Sequence, residues 1–295
     1  MGRLKVLKTY KLYIGGAFPR TESGRYYQPK AEDEKPMANM CLASRKDFRN
    51  SVVAARKAVA GWSGRTAYNR SQILYRIAEM LENNRAHFEE ELILQGSSKE
   101  EATAEVDASI DRWVYYAGWC DKYTQIFGSV NPVASSHFNF STLEAMGVVA
   151  GICPEDHALL GPTSILAPII ASGNTAIVVA SKSRPLSSIS LAEVLNNSDV
   201  PGGVINILTG DAQELLPHIG AHMDVNAVWY LGNDAAAWKQ LQVDAAGNLK
   251  RISDINSDKG LMDAGWETPY VLKAFTEVKT TWHPIEVIGA SGSGY

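Results

Sequence analysis

Apolar residues along this chain fall into runs that predict strands and helices in alternation. Residues 148–153 form a short run rich in β-branched side chains, and residues 159–171 are apolar over the length of a helix. Gly173 and Asn174 then turn the chain into a second short apolar run at 175–180. Two strands that are apolar on both faces, joined by a helix, predict a right-handed β-α-β unit of a parallel sheet.

The same alternation continues for three more strands. In chain order, the pattern predicts a helix at 185–197, a strand at 204–208, a helix at 212–220, a strand at 227–231, a helix at 233–245 and a strand at 249–253. Strands that alternate with helices are typical of an α/β fold, and we expect a doubly wound, Rossmann-like parallel sheet.

The residues before this sheet predict a small hairpin and several packing helices. Residues 10–31 contain YKLYIGGAF, whose alternation and Gly-Gly pair predict an N-terminal hairpin. Asp47 and Asn69 are expected to cap two amphipathic helices, and a third helix is predicted at 99–123. The acidic run EEEL at 89–92 is typical of a solvated helix face.

Two further segments predict extended structure outside the sheet. Residues 131–145 alternate weakly and carry no capping signal, which favours a long, partly exposed β-hairpin. Residues 254–267 are polar, and the stretch VLKAFTEVKTTWHPIEVIG after them predicts one strand followed by a tail.

Composition and charge exclude several classes of function. The chain has 295 residues, with 28 Lys plus Arg against 32 Asp plus Glu. The resulting net charge of −4 leaves no cationic surplus for phosphates, so we expect no nucleic-acid partner. No apolar run reaches spanning length and the start has no signal-peptide core, which predicts a cytoplasmic protein without membrane attachment.

The cysteines indicate neither a disulfide framework nor a metal site. Cys41, Cys120 and Cys153 are odd in number, have no C-x-x-C spacing and lie near no clustered His. Cys120 falls on the apolar stripe of the helix predicted at 99–123, as a buried core thiol would. We expect all three to be reduced and structural.

The polar residues that follow the first two strands are the first candidates for a site, because ligands of such sheets bind beyond the carboxyl ends of the strands. These residues are Pro154, Glu155, Asp156 and His157, and then Ser181, Lys182, Ser183 and Arg184. His157, Asp156 and Ser164 are residue types of a hydrolytic triad, but no G-x-S-x-G sequence accompanies them, which favours a polar loop. The chain has neither a G-x-G-x-x-G nor a Walker sequence.

Several stretches in this order resemble the aldehyde dehydrogenase superfamily. KLYIGGAF is similar to the family's entry strand, NRSQILYRIAEMLENNR to its early helices, and ASGNTAIVVAS and DVPGGVINILTG to strands of its cofactor domain. FTEVKTTW resembles its closing strand. The resemblance implies a Rossmann-like cofactor domain and a small β oligomerisation arm that pairs with a neighbouring subunit.

With this resemblance the chain divides into five parts. They are N-terminal hairpin and helices (1–130), a β-hairpin oligomerisation arm (131–145), a Rossmann-like cofactor domain (146–256), a remnant linker (257–274), and a closing oligomerisation strand with a tail (275–295).

The resemblance also implies that the family's catalytic domain is missing. In the family this domain lies between the strand similar to NLKRIS and the closing strand, where this chain has only residues 254–274. A compact domain needs about 50 residues or more, and no cysteine falls in that interval. The family's glutamate base falls near Ile255 and its oxyanion-hole asparagine at Asp156. A carboxylate there removes a donor worth about 3 to 4 kcal/mol, so we expect no catalytic residue.

The implied cofactor cleft is also altered. Its candidate binding positions are Pro154, Asp156, Lys182, Gly210, Gly232 and Asn233. The lysine and glutamate that hold the adenosine ribose in the family match Val179 and Lys182, a loss that would weaken binding by about 10² to 10⁴. The carboxylate of Asp234 would compete with a pyrophosphate for a helix start. We therefore expect no cofactor, or NAD or NADP if the cleft is occupied. Lys182 and Arg184 leave an adenosine 2′-phosphate open as an alternative.

Two functions are compatible with this resemblance. The first is a non-catalytic scaffold or assembly subunit, whose arm residues Phe138, Phe140, Phe275 and Trp282 bind a complete aldehyde dehydrogenase homologue in a hetero-oligomer. The second is an NAD(P)-dependent aldehyde oxidoreductase with displaced or residual cofactor binding. Loss of nucleophile, base and ribose-binding residues together, while the packing motifs remain, favours the first. An accidental truncation is a third reading, which the surviving FTEVKTTW stretch disfavours.

Overall fold

Three short strands open the computed structural model, which describes residues 6–31 and 34–285. They are β1 (Thr9–Tyr10), β2 (Tyr26–Tyr27) and β3 (Asn39–Cys41), and β3 lies between the other two. The hairpin predicted at 10–31 is present only around its Gly-Gly turn, where Ile14 pairs with Ala17 and Leu12 N donates to Pro19 O at 3.1 Å. It does not extend to β2, because β1 and β2 each pair with β3 and not with each other.

Five helices follow these strands. They are α1 (Arg45–Ser63), α2 (Ala67–Asn83), α3 (Arg85–Leu94), α4 (Lys99–Trp119) and α5 (Tyr123–Phe127). The caps of α1 and α2 are Ser44 and Thr66, three residues before the predicted Asp47 and Asn69. Asp47 instead completes a capping box, in which its carboxylate accepts from Ser44 N (2.7 Å) and its backbone N donates to Ser44 Oγ (3.3 Å). The predicted caps are wrong because Asp47 and Asn69 are cap-forming residue types that lie in the first turn, where their backbone N atoms donate to the true caps.

The acidic run at 89–92 lies in α3 and is only in part the solvated face that the sequence predicts, because Glu90 is exposed and Glu89 is half-buried. Glu91 is buried, and its Oε1 accepts hydrogen bonds from Tyr10 Oη (2.7 Å) and Ser190 Oγ (2.8 Å). Leu92 beside it is fully buried. This part of α3 therefore faces the body of the protein, and Glu91 joins three segments that are distant in sequence.

A β-hairpin leads into the large sheet. Its strands are β4 (Ser129–Asn131) and β5 (His137–Ala145), which are antiparallel. The large sheet and its helices then follow as β6 (Val148–Ile152), α6 (Leu160–Ala171), β7 (Thr175–Val179), α7 (Leu186–Asn196), β8 (Ile205–Leu208), α8 (Ala212–Ala221), β9 (Ala227–Tyr230), α9 (Ala235–Ala245) and β10 (Arg251–Ser253).

The large sheet has the order β10-β9-β6-β7-β8, and each pair of neighbours is parallel. The predicted α/β, doubly wound Rossmann-like fold is confirmed. The chain runs outward from β6 through β7 to β8, crosses to β9 on the other side of β6, and ends at β10. The strand order therefore reverses between β6 and β9. In sheets of this kind ligands bind at that point, outside the carboxyl ends of the two strands.

Every residue of α6 is buried, although a helix beside a sheet usually shows one polar face. The reason is a second helical layer, because α2 and α4 pack on the side of α6 that faces away from the sheet. Polar contacts join these layers. Arg112 of α4 donates to Ser164 Oγ of α6, and Glu105 Oε1 accepts from the backbone N atoms of Leu159 (2.8 Å) and Leu160 (3.0 Å). Glu105 thus satisfies the free amides at the start of α6.

The segment between β10 and the next strand packs into the core. It contains a 3₁₀ turn at Ala264–Trp266 and the short helix α10 (Tyr270–Ala274). Trp266 is fully buried and stacks on Trp229 of β9, with ring centroids 5.8 Å apart. The Tyr116 hydroxyl donates to Trp266 O at 2.8 Å. Residues 254–275 therefore add side chains to the core but form no separate domain.

The strand β11 (Thr276–Pro284) completes a three-stranded sheet of order β11-β5-β4. It runs antiparallel to β5 along its whole length, from the pair Thr276 and Ala145 to the pair Pro284 and His137. Phe275 is fully buried against Trp229, so its expected role as a surface anchor is wrong. The predicted tail at 286–295 and the first residues of the chain, 1–5, lie outside the described residues.

Within the part of the chain that the structure describes, no helix combines the length and the apolar character needed to cross a membrane.

Candidate functional site

A cleft lies where the strand order of the large sheet reverses. It has a volume of about 600 Å³ and is lined by the residues that follow β6, the residues that follow β9, and part of the segment after β10. Of the predicted site residues, Pro154, Asp156, Gly232 and Asn233 line this cleft. The structure thus brings four of the six predicted residues together at the point where the strand order reverses, which is where ligands of such sheets bind. The other two, Lys182 and Gly210, do not line it.

Lys182 is held outside the cleft by an ion pair. Its Nζ lies 2.6 Å from Asp211 Oδ2 at the surface. The hydrogen bond that Lys182 donates to Asp211 raises the pKa of Lys182 and lowers the pKa of Asp211. Asp211 also caps α8 by accepting from Gln213 N (2.9 Å). The side chain proposed to meet a cofactor therefore already has a partner.

The two glycines among the predicted residues have packing roles. Gly210 has φ of +138°, and a Cβ atom there would lie 3.0 Å from the backbone N of Ala43. A Cβ atom at Gly232 would lie 2.5 Å from the ring of Tyr230. Neither position tolerates a side chain.

The turn after β6 is polar and carries no hydrolytic triad. Asp156 is exposed, and its backbone O accepts from Arg184 Nη1 at 2.5 Å. Ser164 is buried in α6, where its hydroxyl donates to Leu160 O at 2.5 Å. His157 Nδ1 lies 3.5 Å from Glu105 Oε2. Because Ser164 is hydrogen-bonded inside the protein, the three residues do not form a nucleophilic site.

The start of α9 faces the cleft, but its free amides are bound internally. Asp234 Oδ1 accepts from Ala236 N (2.9 Å) and Ala237 N (3.1 Å), and Asp234 Oδ2 accepts from Gln213 Nε2 (3.1 Å). A carboxylate thus occupies the helix end that would otherwise attract a phosphate.

Glu155 occupies the other polar side of the cleft. Although Glu155 is exposed, its carboxylate accepts from Ser181 Oγ (2.7 Å), Lys182 N (3.0 Å), Ser183 N (3.0 Å) and Ser183 Oγ (2.6 Å). Partial burial acts to raise the pKa of Glu155, but these hydrogen bonds outweigh it and the pKa lies below its ordinary value. Sequence reasoning placed Glu155 at this strand end but gave it no role, because the bonds join residues far apart in sequence.

Sequence reasoning also missed the wall of the cleft that follows β10. Lys259, Leu261 and Trp266 line it, together with Tyr230 and Trp238 of the β9 side. The rings of Tyr230 and Trp238 lie 5.9 Å apart. No local pattern in the polar stretch after β10 indicates that it returns to the cleft.

The cleft has a negative balance of charge. Four carboxylates line it against one ammonium group, and these residues are Glu155, Asp156, Asp234, Asp254 and Lys259. Such a lining disfavours a pyrophosphate, because like charges at close range cost free energy unless a cation compensates them.

None of the three cysteine thiols is accessible to solvent. All three are free and buried. Burial raises the pKa of Cys120 to about 12 and raises the pKa of Cys153, which lines the cleft, even further. A thiol with a raised pKa is a poor nucleophile near neutral pH. Among the described residues no cluster of His, Cys, Asp and Glu could hold a metal ion.

The sheet order and the position of the cleft define a Rossmann-like α/β fold. The profile of the aldehyde dehydrogenase family matches residues 19–254. The chain is 30% identical over 245 residues to an aldehyde dehydrogenase of Aspergillus niger, and 30% identical over 246 residues to a mitochondrial aldehyde dehydrogenase of Leishmania tarentolae. Each alignment covers 82% of this chain and 49% of the relative.

A solved structure of an aldehyde dehydrogenase is also similar to this chain. The NAD⁺ complex of an aldehyde dehydrogenase from Bacillus cereus has a TM-score of 0.79 to this chain at 25% identity, covering 83% of this chain and 50% of the other. The chain belongs to the aldehyde dehydrogenase family. It spans about half the length of the curated relatives it matches.

The family implies NAD or NADP as cofactor, and the residues of this cleft do not fit one. Val179, which matches the family's ribose-binding lysine, is the last residue of β7 and is buried in the core. Lys182 is paired with Asp211, and the amides at the start of α9 are bound by Asp234. The family's glutamate base is expected near Ile255, in the stretch DINSDKG, which contains no glutamate.

Proposed function

We propose that this chain is a non-catalytic, pseudoenzyme-like member of the family, which serves as an assembly subunit for a complete aldehyde dehydrogenase homologue in a hetero-oligomer. The observation that carries the proposal is the arm, namely the sheet β11-β5-β4, which has a long open edge and apolar side chains in solvent.

The open edge of the arm is the outer side of β11. Ile285 N donates to Ser136 O at 3.1 Å, and in an antiparallel pair every second residue makes such bonds. The amides of Val278, Thr280 and Trp282 therefore point away from β5. Among the described residues no strand pairs with this edge, although Thr276 O accepts from Arg251 Nη1 at 3.0 Å. Natural proteins rarely leave a long strand edge uncovered, because such an edge binds other chains. An added strand from a partner would satisfy these amides by β-augmentation.

Both faces of the arm carry apolar side chains. Val130 and Phe138 are 69% and 46% exposed, and half-buried Phe140 lies beside Phe138 with ring centroids 5.6 Å apart. On the opposite face, Val278 and Trp282 are 62% and 56% exposed. Exposed aromatic residues close together are typical of protein interfaces. We therefore propose that Phe138, Phe140 and Trp282 of this chain contact the partner.

The alternative function, an NAD(P)-dependent aldehyde oxidoreductase, finds no specific support in the cleft. It would require an accessible nucleophile, and the thiol of Cys153, which lines the cleft, is buried. Our proposal keeps the cytoplasmic location that the sequence predicts.

Co-expression tests the proposal. The untagged chain is expressed with a tagged complete aldehyde dehydrogenase from the same genome, followed by affinity capture and light scattering. We expect both chains in one peak whose mass is the sum of whole subunits. If the chain is soluble and stable alone and elutes apart from the homologue, the assembly role fails.

A variant of the arm edge gives this test its control. Thr280→Pro removes one outward amide without removing a bond to β5, and edge strands tolerate Pro. Thr280→Ala keeps the amide, and both variants lose the contact between Thr280 Oγ1 and Ser141 Oγ (2.9 Å). We expect Thr280→Pro to weaken capture of the chain by the homologue at least about tenfold, and Thr280→Ala to leave it nearly unchanged. Aldehyde oxidation by the lone chain with NAD or NADP would instead support the oxidoreductase.

A further inference from the structure

The loop from Ser181 to Arg184, between β7 and α7, is built to hold an anion. Two backbone amides and two hydroxyls, those of Lys182, Ser183 and Ser181, converge on one point. A further hydrogen bond fixes the loop, because Arg184 N donates to Ser181 Oγ at 2.9 Å. Converging backbone amides in a turn form the concave nests that bind phosphates and carboxylates in proteins.

The surroundings of the loop add positive charge. Lys182 extends from it to Asp211, and Arg184 reaches back to Asp156 O and to Ser97 Oγ. All four converging donors are directed at the carboxylate of Glu155, which comes from the turn after β6. The loop therefore has an occupant, and that occupant is part of the same chain.

We propose that Glu155 is a built-in ligand that keeps this anion-binding loop closed to external anions, and that phosphomonoesters are the class it excludes. A tethered carboxylate is always present at high effective concentration, so an external anion must displace it. The displaced Glu155 would then stand beside a phosphate, and two like charges at that distance repel each other. The four hydrogen bonds to Glu155 and this repulsion both oppose replacement of the carboxylate by an external anion.

This role concerns Glu155 and the loop after β7, so it holds whether or not the arm binds a partner. It adds Glu155 to the residues that make a dinucleotide fit this region poorly. A chain in which Glu155 no longer reaches the loop presents the same donors to solvent, with Lys182 and Arg184 beside them.

Titration calorimetry with adenosine 2′-monophosphate and with inorganic phosphate tests the proposal on the full chain. We expect no measurable binding to the unmodified chain, and for Glu155→Ala an affinity at least about tenfold higher. Glu155→Gln still fills the loop with an amide oxygen but lacks the charge, so its affinity should fall between the two. Inorganic phosphate alone binding to Glu155→Ala would show that the loop recognises the phosphate group without the nucleoside.

Asp156→Ala is the matched control, because it removes a neighbouring negative charge that is not bound to the loop. We expect it to bind no tighter than the unmodified chain, and Glu155→Ala combined with Ser181→Ala and Ser183→Ala to lose the gained affinity. Circular dichroism and thermal unfolding establish that each variant is folded, and Glu155→Gln serves if Glu155→Ala does not fold. Equal affinities of the unmodified chain and of the Glu155 variants, or an equal gain from Asp156→Ala, would overturn the proposal.

Discussion

Trp229 and Trp266 stack with ring centroids 5.8 Å apart, which ties the segment after β10 to the strand at the centre of the cleft. Trp229 is fully buried in β9, and its Nε1 donates to Ile255 O at 3.1 Å. The same segment is fixed on its other side, where Arg112 Nη2 donates to Leu261 O at 2.9 Å. Residues 254–275 are therefore part of the fold, and they close one side of the cleft.

Replacing Trp266 with Ala should destabilise the protein strongly. A buried Trp to Ala substitution typically costs about 3 to 5 kcal/mol of unfolding free energy. Urea denaturation measures this loss. The control is Met262→Ala, since Met262 is 48% exposed in the same segment and should change stability by less than about 0.5 kcal/mol. Equal, small effects of both variants would mean that the segment is a loose connection.

Glu105→Gln should lower stability at neutral pH and flatten the dependence of stability on pH. Burial acts to raise the pKa of Glu105, but His157 and the amides of Leu159 and Leu160 outweigh it, so the folded pKa lies below the ordinary value. This contribution is therefore complete above the unfolded pKa and is lost as the pH falls through the lower folded value. We expect a cost of about 1 to 3 kcal/mol near pH 7 that shrinks as the pH falls through the folded pKa of Glu105.

Urea titrations at several pH values check this result, with Asp111→Asn as control. Asp111 is exposed on the same helix, so its substitution should leave both the stability and its pH dependence close to those of the unmodified chain. If Glu105→Gln retains the full acid dependence, the carboxylate does not stabilise the start of α6.

The three cysteines should be unreactive in the folded protein. All three are buried, and the pKa of Cys120 is raised to about 12. A thiol-specific chromogenic reagent should therefore label none of them under native conditions over the time in which it labels all three in denaturant. Rapid labelling of one native cysteine, combined with loss of aldehyde turnover on its replacement by Ala, would refute a structural role for that thiol.

The lone chain should bind NAD with a dissociation constant of about 1 mM or weaker. The reason is that Asp234 occupies the start of α9 and Asp211 holds Lys182. Asp234→Asn keeps a capping side chain while removing its charge, so it should tighten binding without a loss of stability. Titration calorimetry measures both affinities. A micromolar affinity of the unmodified chain for NAD would favour the oxidoreductase over the assembly subunit.

The large sheet was predictable because buried parallel strands leave a strong local signal. The β-branched runs before Pro154 and Ser181 sit between turn residues, and each observed strand lies within the predicted run. The N-terminal caps were harder to predict from the sequence, because Ser44 and Asp47 are both residue types that cap helices. Only the hydrogen bonds between them show that Ser44 is the cap of α1. Glu91 and Phe275 were misjudged because their burial depends on segments far away in sequence. Glu155 shows the same limit, since its four hydrogen-bond donors lie in the loop after β7.

Hydrogen exchange in the arm measures the central claim most directly. The peptide spanning β11 contains the outward amides of Val278, Thr280 and Trp282, which have no partner strand among the described residues. In the lone chain these amides should exchange quickly, and on mixing with a complete aldehyde dehydrogenase homologue they should become protected, while peptides of the large sheet stay unchanged. Unchanged exchange of β11 at saturating homologue would contradict an assembly role through this arm.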